Sequence, residues 1–146
     1  MGLAQQPLHL GWLAWFSLLP LMFILNHLES PWAFFKAGYI WGLAYYLTTI
    51  FWLAMNIGTT PIIGIISMLA AVFYSSLTSA LTCLILGFLK QRYSRLWVYL
   101  FPLVWTAVEY IRNMDVQTGG PWTALANTQL DFLTLVQNAE ITGIYG

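Results

Sequence analysis

Apolar residues in this chain come in long unbroken runs separated by short polar breaks. A helix crosses a bilayer with about 20 mostly apolar residues. Four runs meet that test: about Leu10 to Leu28, Phe34 to Met55, Pro61 to Leu89 and Leu96 to Ile111. A fifth begins near Leu133 and continues to Gly146. The third run carries no charge and is longer than a perpendicular span needs, so it is expected to tilt or to extend into the interface. Glu29-Ser30-Pro31, Asn56 to Pro61, Lys90 to Arg95 and the long stretch Asn113 to Phe132 form the breaks. None of the runs alternates polar and apolar residues as a barrel strand does. The pattern predicts an all-α membrane protein. It would be a polytopic helical bundle with four spans plus the start of a fifth, in a single truncated transmembrane domain over residues 1–146 (helices about 10–28, 34–55, 61–89, 96–111 and 133–146).

Composition agrees with that reading. Hydrophobic residues make up 60% and charged residues only 7%, against about 25% charged in soluble domains. A soluble fold of this size has too much surface to hide so much apolar side chain. The net charge is zero and there is no basic run, which argues against a nucleic-acid partner. Cys83 is the one cysteine, and His9 and His27 lie far apart, so neither a disulfide nor a metal site is expected, and no cofactor. Basic residues in short loops face the cytoplasm. Lys36, Lys90, Arg92 and Arg95 therefore put the first and third breaks inside. The second break and loop 113–132 then face outside, as does the chain start, which implies a missing earlier helix.

Small residues mark expected helix contacts. Gly38 and Gly42 form a GxxxG step. Ser67, Ala71, Ser75, Ser79, Cys83 and Gly87 recur every fourth residue on the third run, which keeps them near one face with a slow drift. Cys83 inside such a seam is read as packing, since a thiol among apolar groups is unreactive. Trp105, Glu109 and Arg112 share a face of the fourth run. Ionisable groups in a span are functional candidates, but residues three apart can also touch as a structural ion pair near the helix's outer end. Thr118-Gly119-Gly120-Pro121-Trp122 reads as a turn presenting an indole, either as an interfacial anchor or as a functional rim. Asp115, Asp131 and Glu140 form no acid–base pair, and no nucleophile–base constellation is present.

Trp105, Glu109 and Arg112, followed by Thr118 to Trp122 and then Gln129, resemble the membrane domain of bacterial apolipoprotein N-acyltransferase. Gly11 to Phe16, Trp52 with Gly58 and Pro61, and Ala139 to Gly146 are similar to other segments of that family. Gly120 stands where the family usually has Phe, and Asn113 where Gly commonly follows the Arg. The resemblance implies a nitrilase-like domain beyond Gly146 carrying a Glu–Lys–Cys triad. Its thiolate would take an acyl chain from a membrane phospholipid and pass it to the N-terminal amine of a diacylglyceryl lipoprotein, and a thiolate serves as both nucleophile and leaving group. On that reading this stretch holds no catalytic residue, and Cys83 is not the nucleophile. Pro121 and Trp122 are candidates for a substrate-binding rim, and Glu109 and Arg112 for a polar pair bracing the helix. The expected setting is the bacterial inner membrane, as a multi-pass monomer with loop 113–132 periplasmic and the loops near Lys36 and 90–95 cytoplasmic. The alternative is a stand-alone membrane scaffold or transporter-like protein. Its usual mid-membrane charge pairs and broken helices are not evident in the runs.

Overall fold

A computed structural model of the chain describes residues 10–114, 123–130, 132, 134, 137 and 139–143. Every element among them is helical. The first expected helix is instead a series of short pieces: a 3-10 turn at Gly11–Leu13, α1 at Ala14–Ser17 and α2 at Leu19–His27. Apolar character conceals the cause. Pro20 has no N–H for the Phe16 carbonyl, so the helix restarts with Pro20 as its second residue.

α3 runs over Pro31–Thr49. It starts ahead of Phe34 because the fixed φ of Pro31 suits the first helical position. It ends short of Met55. The Thr48 and Thr49 hydroxyls donate to the carbonyls of Ala44 (2.9 Å) and Tyr45 (2.8 Å), in competition with the backbone ladder. Phe51–Met55 then tightens into a 3-10 helix. α4, Pro61–Arg92, has 32 residues and a length of about 48 Å, well beyond the roughly 30 Å hydrocarbon core of a bilayer. α5 covers Trp97–Met114 and carries Pro102 in its interior. Of the fifth run, the described part includes the short α6, Ala139–Thr142, followed by Gly143 in the left-handed region at φ +69.

Among the described residues only α4 is long and apolar enough to cross a membrane by length and composition. The expectation of four spans thus holds by that measure at one helix. Gly11–His27 is too short. α3 is diluted by Lys36, its glycines and its Trp and Tyr residues, and α5 by Glu109, Arg112 and Asn113.

α3 and α4 lie against each other along a seam of small residues. A β-carbon on Gly38 would stand 2.7 Å from Cys83 Cβ and from the Ser79 carbonyl oxygen. Gly42 meets Ser76, and Gly87 meets Pro31 and Phe34. The GxxxG step of α3 and the small residues of α4 are thus two sides of one contact. The stripe is not straight. Ser79, Cys83 and Gly87 are buried, Ala71 and Ser75 half-buried, and Ser67 exposed. A spacing of four overshoots 3.6 residues per turn, so the contact drifts onto Ser76 and Val72. Around the lower seam a cluster of Leu21, Leu25, Phe34, Leu86, Trp97 and Phe101 forms the main core.

Lys90 locks the end of α2 to this core. Its ammonium donates to the carbonyls of Asn26 (2.6 Å), Leu28 (2.8 Å) and Leu25 (3.3 Å). It also stands 5.5 Å from the Phe34 ring centre and 5.6 Å from that of Trp97. A cation there satisfies the otherwise unpaired carbonyls of the helix end. Lys90→Met is expected to lower the unfolding free energy by about 1.5–3 kcal/mol, the range for hydrogen bonds to a charged group. Denaturant titration in detergent checks this, and an unchanged midpoint would mean that water replaces the ammonium without loss.

Candidate functional site

The last turns of α5 face a small polar recess within the helical packing. Tyr46 of α3, Thr78 and Thr82 of α4, and Trp105, Glu109 and Arg112 of α5 line it. About 10 Å³ is open to a water-sized sphere, room for a single water. The recess is at the end of α5 but opposite the middle of α4, because α4 continues well past the end of α3.

Trp105 is 7% exposed. It stacks on Phe101 at 5.8 Å and meets Trp41 edge-on at 5.7 Å. This aromatic wall leaves its indole N–H facing the Glu109 carboxylate without closing a hydrogen bond. Arg112 donates from Nη1 to the Tyr46 hydroxyl at 2.5 Å, and its guanidinium stands 5.8 Å from the Tyr46 ring centre. Its Nε and Nη2 are buried without a hydrogen-bond partner. Glu109 and Arg112 therefore share one recess, and Arg112's hydrogen bond goes to Tyr46. A guanidinium whose Nε–Nη2 edge is free can grip an oxygen pair side-on.

Tyr46 is the residue that sequence reasoning passed over. It also lies 3.4 Å from the Thr78 hydroxyl. In a chain with eight tyrosines its role depends on which helix faces α5, and no local pattern encodes that. The neighbouring Tyr45 donates to the Thr123 carbonyl oxygen at 2.7 Å in a buried hydrogen bond.

Thr123 begins the next described stretch, 123–130, which packs against the helices. It is followed by a 3-10 helix at Leu125–Gln129. Gln129 clamps this stretch to the 3-10 turn Gly11–Leu13 and to α1. Its Nε2 donates to the Gly11 carbonyl oxygen at 3.0 Å, and its Oε1 accepts from the Trp15 indole at 3.0 Å. A side chain at Gly11 would run into the Thr128 carbonyl. Gly11 to Phe16 and Gln129, more than a hundred residues apart in sequence, thus meet in space. Pro121 and Trp122, with the rest of 115–122, lie outside the described residues, as do His9 and Asp131.

Cys83 is buried in the α3–α4 seam. Among the described residues no group of three or more His, Cys, Asp or Glu side chains is placed to hold a metal ion. His27 Nδ1 lies 2.8 Å from the Phe23 carbonyl oxygen of its own helix.

Residues 1–146 match the family described as apolipoprotein N-acyltransferase N-terminal domain. An apolipoprotein N-acyltransferase of Geobacter metallireducens is 36% identical over 140 residues, covering 92% of this chain and 26% of the relative. The enzyme of that name from Chlorobaculum tepidum is 31% identical, with 94% of this chain and 25% of the relative covered. For that of Pasteurella multocida the values are 29%, 97% and 27%. The chain spans about a quarter of the length of these curated relatives. No solved structure matches it.

Proposed function

The chain belongs to the apolipoprotein N-acyltransferase N-terminal domain family, and from that premise we propose that it serves as the membrane portion of an enzyme moving an acyl chain from phospholipid to the N-terminal diacylglyceryl-cysteine of lipoproteins. Its task is to hold a catalytic domain at the outer face of the bacterial inner membrane and to admit two lipid-bearing substrates sideways from the bilayer. In this proposal 1–146 acts as one transmembrane domain with several spans. Loops near Lys36 and 90–95 are cytoplasmic and 113–132 is periplasmic. Pro121 and Trp122 shape the outer rim, and Glu109 with Arg112 braces the end of α5. The protein acts as a monomer without a cofactor.

The observation that carries the membrane reading is the outer face of α4. Ile62 is 71% exposed, Ile66 60% and Phe73 51%, while the opposite face is sealed by small residues. Large apolar side chains displayed along a helix that carries no charge from Pro61 to Leu89 suit lipid as solvent. Lys90 and Arg92 close that helix at the proposed cytoplasmic end.

The test is acyl transfer in proteoliposomes, using a labelled phospholipid and a diacylated lipopeptide. A full-length protein carrying this segment is expected to label the lipopeptide, and residues 1–146 expressed alone are not. Transfer by the segment alone, or none by the full-length protein, would overturn the proposal.

A further inference from the structure

The recess between α3, α4 and α5 holds donors and acceptors that do not meet each other directly. The donors are Trp105 Nε1 and the Nε and Nη2 of Arg112, all buried without a hydrogen-bond partner on residues that line the recess. The indole is fixed in place, because Trp105 is 7% exposed and held by Phe101 and Trp41. The third guanidinium nitrogen, Nη1, is already committed to the Tyr46 hydroxyl. The acceptors come from α4 and α5. The Thr82 hydroxyl, on a residue 3% exposed, donates to the Thr78 carbonyl at 2.8 Å, and the Thr78 hydroxyl donates to that of Ser75 at 2.6 Å. Each keeps lone pairs and has no further proton to give. The Glu109 carboxylate, which faces the Trp105 indole and the Leu125 backbone N–H, adds acceptor oxygens. Buried donors left unpaired are costly, so this arrangement calls for a bridging group.

We infer that the recess is a binding site for one water molecule, which accepts from the Arg112 Nε–Nη2 edge and the Trp105 indole and donates to Glu109 and the Thr82 hydroxyl. About 10 Å³ is open to a water-sized sphere, the space that one water needs, and buried waters make roughly two to four hydrogen bonds. The mixture of partners selects the ligand. A phosphate oxygen from a lipid headgroup could take the N–H groups, but it brings no proton for Glu109 and sets a second negative charge beside that carboxylate. Water both accepts and donates, and adds no charge to the Glu109–Arg112 pair. The water makes that pair a bridged one and ties α4 to α5 where Arg112 also reaches α3 through Tyr46. The site requires nothing of acyl transfer and stands or falls separately from the proposed function.

The experiment uses a full-length protein carrying this segment, in nanodiscs of phosphatidylethanolamine and phosphatidylglycerol. The first arm is an electron cryo-microscopy map sharp enough to show ordered water. A single-atom peak is expected within about 3.2 Å of the Arg112 Nε–Nη2 edge and of Trp105 Nε1. A direct Glu109–Arg112 contact with no peak would overturn the inference, and so would a peak that continues into a lipid phosphate. The second arm is solid-state NMR of protein labelled with 15N on tryptophan and arginine. Water protons are expected to pass polarisation to the Trp105 indole, and phosphorus-31 is expected to leave the Arg112 side-chain signals undamped. Thr82→Leu fills the recess and removes an acceptor, so the water transfer to Trp105 should be lost in that variant. Transfer that persists unchanged in folded Thr82→Leu protein, or damping of Arg112 by phosphorus, would overturn the assignment to water. If Thr82→Leu does not fold, the map of the unsubstituted protein decides alone.

Discussion

Gly38→Leu is expected to force α3 and α4 apart and to abolish accumulation of folded protein in the membrane. The reason is the nature of the obstacle. A β-carbon at Gly38 would stand 2.7 Å from Cys83 Cβ and Sγ and 2.7 Å from the Ser79 carbonyl oxygen. The thiol can turn away, but the carbonyl belongs to the α4 backbone. Gly38→Ala alone is expected to cost about 1–3 kcal/mol, the usual penalty for overpacking. In the proposed membrane setting the fit matters more, because helices in a bilayer gain nothing from hiding apolar surface and depend on close packing. The polar residues of the seam do not compensate. The Ser76 hydroxyl donates to the Val72 carbonyl at 2.6 Å and that of Thr82 to Thr78 at 2.8 Å. They are satisfied within α4 and present α3 with shape alone. Thermal unfolding of the detergent-solubilised protein checks the series. Cys83→Gly should restore part of the Gly38→Ala loss, since it removes one of the two obstacles. A Gly38→Leu protein with an unchanged midpoint would show that the helices are not in contact there.

This seam also marks how far the sequence could be read. The four-residue spacing of Gly38 and Gly42, and of Ser79, Cys83 and Gly87, was visible on each helix separately. That the two series face each other depends on antiparallel pairing, which no local pattern specifies. Helices were legible from run length, and their limits were not. Pro20 interrupts an apolar run without adding polarity. Pro31 marks a start as readily as a stop. In the recess, Glu109 and Arg112 were legible as polar groups three apart on an apolar helix. Tyr46 and Thr78 were not, because their roles come from two other helices converging on α5. Gln129 carried a signal through the family resemblance alone, and its partners Gly11 and Trp15 come from the far end of the chain.

Arg112→Met is expected to be the most damaging single change in the recess, lowering stability by about 2–4 kcal/mol. That lies between the loss of a charged hydrogen bond and the breaking of a buried ion pair. The substitution removes the bond to Tyr46 and leaves Glu109 facing the recess without its cation. Two charges that share a recess are best judged together. Removing both avoids an uncompensated ion, so Glu109→Gln with Arg112→Met should recover at least half of the single-variant loss. Arg112→Lys separates charge from shape. Lysine keeps the positive charge, but as a compact point it cannot hold Tyr46 while keeping a side-on edge toward the recess. If Arg112→Lys retains full stability and the double variant recovers nothing, the guanidinium acts as a remote charge. If Lys fails as Met does and the double variant recovers, the planar fork is what the site requires, and the link from α5 through Tyr46 to α3 is its structural purpose.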